Sequence, residues 1–234
     1  MLNYIPILTT LFSAFFFIKI FNHYRRGTKK TYVLWWMIGV LTFGLGTLTE
    51  SINALAGWSI VNTKIWYIVG ALLGGFPLAQ GTIYLLMRKK AADILTVIFV
   101  TLIVVASICV LLTPVKIPPD FDYQLTGKVF QWEWVRLFSP FINIYSFIFL
   151  VGGAFYSAFK YIRNKRARAR SLGNICIAIG ALLPGIGGTY TRMGYVHVLF
   201  VTEFIGLLLI YLGYITIRND KSPSVHENQI PVAG

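Results

Sequence analysis

Apolar residues run along this chain in seven long stretches, about 3–22, 31–57, 64–87, 92–113, 133–161, 171–193 and 195–217, separated by short polar or basic segments. Each is near the ~20 residues that an α-helix needs to cross ~30 Å of hydrocarbon. The fourth, "ILTVIFVTLIVVASICVLL", is apolar all round. The pattern predicts an all-α polytopic membrane protein, a seven-transmembrane-helix bundle over residues 1–217. The polar segment 218–234, "RNDKSPSVHENQIPVAG", reads as a short disordered cytoplasmic tail.

Within the stretches the polar positions keep helical period. In the fifth, Arg136, Ser139, Asn143, Ser146, Leu150, Gly153 and Ser157 follow one another at three- and four-residue steps, so they share one helix face. That face is expected to point into the bundle. Leu137, Phe138, Phe141, Ile142, Ile144, Phe147, Ile148, Phe149 and Val151 are expected on the faces between. In the sixth, Ala181, Gly185, Gly188, Thr189 and Arg192 share a face, and Pro184 in "LPGIGGTYTRMG" is expected to kink the helix. The third carries Gly70 and Gly74 in a GxxxG, read as a packing device, then Pro77 and Gln80. Two acids interrupt apolar runs: Glu50 in "LTFGLGTLTESINALAGW" and Glu203 in "VLFVTEFIGLLLIYLGY".

Composition fits the pattern. Of 234 residues, 56% are hydrophobic and only 12% charged, and the mean hydropathy is +0.69. The net charge of +13 does not indicate nucleic acid, because the cations sit between the apolar runs. Fifteen Lys and Arg follow stretches one, three, five and seven, and five lie on the other side. The positive-inside rule then puts the N-terminus outside and the C-terminus inside a cell membrane. Lys19 lies near a helix end, where it can snorkel. No cleavable signal is evident. Trp58, Trp66, Tyr67, Trp132 and Trp134 collect at the outer helix ends, either as a headgroup belt or as walls of an outward pocket. The long outer loop "VKIPPDFDYQLTGKVFQWEW" reads as a connector. Cys109 and Cys176 are expected as buried thiols.

The chemistry inventory is sparse. The three histidines, His23, His197 and His226, are not spaced for zinc or haem, and no nucleophile set or phosphate loop appears. No metal or cofactor is predicted. A retinal Schiff base is excluded, since the last stretch has no lysine.

Charge within the membrane is the remaining signal. Glu50 falls about 28 Å along its helix and Glu203 about 12 Å along its own, which places both in the outer half. Arg136 and Arg192 fall within the outer turn of theirs. The expected contact is Glu203 or Glu50 with Arg136 or Arg192, and first of all Glu203 with Arg192 across the tight turn between the last two helices. Such a pair is either a structural lock or part of a ligand site for a polar small molecule. The candidate ligand-binding residues are Glu50, Arg136, Asn143, Arg192 and Glu203, with Trp66 and Tyr190 as walls.

The order of features resembles the seven-helix membrane sensor module at the N-terminus of some bacterial histidine kinases. The resemblance covers most of helices two to seven. It rests on "WWMIGVLTFGLGTLTESI", "IWYIVGALLGGFPLAQGTIYLL", "LFSPFINIYSFIFLVGGAFYSAFKYI" and "IAIGALLPGIGGTYTRMG". It implies a non-enzymatic sensor or receptor, here stand-alone, with membrane lipids around it and a separate signalling partner for output. A small-solute transporter and a lipid-modifying enzyme are the alternatives. A transporter would show matching helix breaks in two halves, and Pro77 is a weak counterpart to Pro184. An enzyme would need a nucleophile or metal set. The basic run "RNKRARARS" reads as topological, with an affinity for anionic headgroups.

Overall fold

Seven apolar stretches become seven helices in a computed structural model of the chain, which describes residues 2–27, 29–117, 119, 121–162 and 168–220. They are α1 (Leu2–Arg26), α2 (Thr31–Ala56), α3 (Ile60–Leu86), α4 (Lys89–Leu112), α5 (Glu133–Ile162), α6 (Arg168–Arg192) and α7 (Val196–Asn219). Each is long and apolar enough to cross a membrane. The expected ends hold to a few residues. The last helix runs past the expected boundary at 217 and includes Arg218, and Asp220 is held by Arg170 at 3.1 Å. Residues 221–234, expected as the disordered tail, lie outside the described residues, as do Arg163, Lys165 and Arg166 of the basic loop.

Six helices form a closed ring in the order α1, α2, α3, α5, α6, α7, with α7 returning to α1. They converge on an apolar interior to which Phe16, Val40, Leu78, Leu150, Ile177 and Ile210 contribute, one from each helix. The fourth helix stands outside the ring against α3 and α5. Ile94, Val97, Ile98, Val104 and Leu111 leave its apolar surface exposed, as suits a helix that faces lipid on most sides.

Two helices depart from α-geometry. Third-helix residues Tyr67–Leu72 form a π-helical turn, the chain breaks at 73–75, and the helix restarts over Phe76–Leu86. Two glycines, Gly74 and Gly75, and the missing N–H of Pro77 explain the break, and Pro77 sits in the first turn of the new segment where that loss costs nothing. The fifth helix begins as a tight 3₁₀ turn (Glu133–Leu137) and widens to π geometry over Phe147–Gly152. Asn143 of α5 donates to the carbonyl of Ala71 at 3.3 Å, so the irregular part of α3 finds a side-chain donor.

The polar face of α5 points inward over part of its length: Ser139, Ser146, Leu150 and Ser157 are buried, Arg136 and Gly153 are half-buried, and Asn143, expected inside, is exposed, as are Leu137, Phe141, Ile144, Phe147 and Ile148. Ile142 and Val151, expected on the outer faces, are buried instead. The interior face is wider than one polar stripe, and Tyr145 also belongs to it, donating to Gln80 Oε1 at 2.6 Å. Gln80 in turn donates to Thr96 Oγ1 at 2.7 Å and to the Ala92 carbonyl at 3.0 Å, which ties α3, α4 and α5 together.

The sixth helix corrects one expectation, the face by which it packs. It runs unbroken through Pro184. Its packed face is not Ala181, Gly185, Gly188, Thr189 and Arg192, since a Cβ at Gly185 or Gly188 would meet nothing within 4 Å. The packed face is Gly173, Gly180 and Gly187, set seven residues apart, against Gly206 and Gly213 of α7. There a Cβ at Gly180 would lie 2.6 Å from the Gly206 carbonyl oxygen. Bare backbone on both sides lets the two helices touch along their length.

At the end where α4 finishes, Lys64 caps that helix, donating to the carbonyls of Leu111 and Thr113 at 2.7 and 2.8 Å. The following loop folds down over α3. Val129 and Phe130 are buried, and the Phe130 ring meets Tyr67 edge-on at 5.0 Å. Trp58 packs on Phe121 and Tyr123, and Trp132 stacks on Trp134 at 6.0 Å. Cys109 and Cys176 are half-buried free thiols.

Candidate functional site

The site begins with how α2 and α3 touch. A Cβ on Gly46 would lie 3.4 Å from Gly70 Cα, so the two backbones approach closely there. The helices run antiparallel, and one turn further along each brings Glu50 opposite Trp66. The Trp66 Nε1–H donates to Glu50 Oε1 at 3.0 Å. Next to it, Asn62 Nδ2 donates to the Thr49 carbonyl at 2.8 Å. On the side of α2 that faces α1, Thr10 shares hydrogen bonds with Thr47 at 2.9 Å and Ser51 at 3.3 Å. Glu50 is therefore held in a layer of small polar groups, 4% exposed.

Across this layer the carboxyl group of Glu50 faces that of Glu203 of α7, near enough for each to act on the other electrostatically. Glu50 Oε2, Glu203 Oε2 and the nearby helix residue Asn53's Oδ1 are buried and meet no N–H or hydroxyl donor. A contact between two carboxyl groups is attractive only with a proton between them, because two like charges at that distance repel strongly in a low dielectric. The local chemistry is rich in acceptors and poor in donors, and an unmet buried acceptor costs about 1–3 kcal/mol.

Among the described side chains no arginine pairs with either acid, and the expected Glu203–Arg192 pair falls on a side chain outside them. Arg136 turns to its own neighbour, Glu133, with its Nη2 3.6 Å from Oε2 and its Nε 3.4 Å from the Glu133 carbonyl. Its 3₁₀ turn places the two side chains together at the surface, where the guanidinium stays hydrated. Arg192's side chain lies outside the described residues. Tyr190 is 44% exposed, and its ring packs on Tyr195. Asn143 serves the Ala71 carbonyl and Ser139 Oγ. Of the seven candidates, the structure brings Glu50, Trp66 and Glu203 into one site. The shared depth of the two acids was readable from helix rise. That Thr10, Thr47, Ser51 and Asn62 surround them was not, because threonine and serine on a helix bond their own preceding turn as readily as a neighbour's.

Among the described residues no group of His, Cys, Asp and Glu has the arrangement of a metal site. Comparison with known protein families, with characterised proteins and with solved structures gives no match. The helices and their apolar faces define a multi-span helical protein of the integral membrane class, and everything finer rests on the site itself.

Proposed function

We propose that this protein is a non-enzymatic, sensor- or receptor-like membrane module, oriented with its N-terminus outside, whose recognition site is the Glu50–Glu203–Trp66 cluster in the outer half of the bundle. The observation that carries the reading is the pair of carboxyl groups set side by side in the bundle, each with a buried oxygen that meets no donor among the described residues. A structural lock would neutralise them; a recognition site leaves acceptors for the ligand to complete. The ligand class that fits is a small polar molecule bearing N–H donors or a positive charge. The likeness of four segments to the membrane modules of bacterial sensor kinases supports the same reading, with a separate protein as the signalling partner.

The test is ligand-induced thermal stabilisation of the detergent-solubilised protein across a panel of small amines, amides and sugars. The expected result is a saturable shift from donor-bearing compounds that both Glu203→Gln and Trp66→Phe abolish. A panel in which nothing binds, or whose binders ignore both substitutions, overturns the site. Uptake of the bound compound into proteoliposomes would move the reading to transport, and turnover of a lipid would move it to an enzyme.

A further inference from the structure

A second polar feature lies at the opposite, basic end of the bundle and is independent of the acid cluster. Lys19, Asn22, His23 and Arg26 follow one another on α1 at steps of three, one and three, so they form one helix face. That face and Arg218 of α7 enclose a cavity of about 390 Å³, closed at its end by Gly27. The volume is in the range of pockets for small ligands. No acid lines it. The acid closest in sequence to Arg218 is Asp220, whose carboxylate is engaged by Arg170 at 3.1 Å.

The floor of the cavity is built. Buried Tyr214 lies beneath, its hydroxyl 2.7 Å from His23 Nδ1 and close to the Arg218 side chain. Lys19 lies about 10 Å further into the helix than Arg26, and its Nζ rests over the Phe15 ring at 5.2 Å. A lysine at that depth is costly in hydrocarbon and is kept where something polar meets it.

We infer that this cavity between α1 and α7 binds a phosphate group, and that its occupant is the headgroup of an anionic membrane lipid. Arg26 and Arg218 offer guanidinium forks that match phosphate oxygens in pairs. Lys19 adds a point charge at the depth of the glycerol, and Asn22 adds an amide donor. The cavity opens on the outer surface of the bundle, since Lys19, Asn22, Arg26 and Arg218 are all exposed. It therefore faces lipid, at the end of the protein where cations gather. Basic pockets between membrane helices at that level are suited to headgroups.

The experiment compares full-length protein in neutral detergent with added phosphatidylglycerol, phosphatidylcholine or inorganic phosphate, reading half-saturation of the thermal shift. Phosphatidylglycerol is expected to stabilise saturably and phosphatidylcholine not. Each cation removed should weaken binding about five-fold, so Arg26→Gln with Arg218→Gln should cost about 25-fold. Lys89→Gln with Lys90→Gln removes the same charge outside the cavity and should leave half-saturation within about two-fold of the unmodified protein, below the loss from a single cavity cation. Equal losses in the two double variants would reduce the effect to general surface charge and overturn the site. A shift of equal size from inorganic phosphate at equal concentration would overturn the lipid and leave a soluble phosphate ester as the occupant. Should the arginine variant fail to fold, Lys19→Gln carries the test, with an expected loss of about five-fold and no change as the overturning result.

Discussion

Two helix seams in this protein use the same device and end differently. Between α6 and α7, Gly173, Gly180 and Gly187 face Gly206 and Gly213, and backbone meets backbone. Between α2 and α3, Gly46 meets Gly70 in the same way. One turn beyond that contact, however, the second seam holds Glu50 against Trp66 and sets its carboxyl group beside Glu203. The difference separates packing from chemistry. Glycines are sufficient to hold helices together in lipid, where van der Waals contact drives association. Acids are not needed for that task, so their presence in one seam asks for another role.

The comparison breaks most readily at Gly180. Gly180→Leu would drive a side chain into the Gly206 carbonyl and the backbone at Ile210. Overpacking against backbone has no rotamer escape, so the expected loss is about 3 kcal/mol or more, read as a fall of about 10 °C in the melting of purified protein. A tolerated leucine would mean the α6–α7 seam is looser than its geometry. Next comes Trp66→Phe, which strips Glu50 of its N–H donor and should cost about 1–3 kcal/mol in the same melt. If the acid-bearing seam were held by glycine alone, that substitution would be silent. A smaller effect of informative sign is expected at Glu203→Gln. The amide can donate to Glu50 without a shared proton, so stability should hold within about 0.5 kcal/mol or rise. Had Glu203 been locked to a buried cation, the same change would cost about 3–5 kcal/mol. The smallest effect belongs to Gly185→Ala, on the open face of α6 where a Cβ meets nothing, expected within about 0.5 kcal/mol of the unmodified protein.

Much of the fold was legible in the chain. Apolar runs of membrane length gave the helices, and the seven- and four-residue steps of Ser139, Ser146, Leu150 and Ser157 gave part of the buried face of α5. Other features misled. The glycines after Pro184 suggested a broken helix, yet α6 is continuous and the real break lies at Gly74 and Gly75 in α3. A proline in a helix interior, such as Pro184, loses one backbone bond that a first-turn proline such as Pro77 does not, and the packing around it decides whether the loss is tolerated. On α6 the choice between Gly180 and Gly185 as the packing face was equally invisible, because both lie in small-residue rows at helical spacing.

The candidate site divides along the same line. Helix rise alone placed Glu50 and Glu203 at one depth. Which charge each meets is a matter of rotation about the helix axes and of which helices are neighbours. Local backbone geometry turned Arg136 to Glu133, and the ring order brought α7 close enough to α2 for the acids to act on each other. The basic cavity tells a similar story: Lys19, Asn22, His23 and Arg26 are on one face by spacing, but Arg218 joins them only because α7 returns to α1. Sequence by itself determined the helices, their length and the depth of every charge, because rise per residue is fixed by the backbone. Tertiary structure alone decided which charges face one another, because that depends on helix rotation and neighbour order, and contacts between distant segments set both.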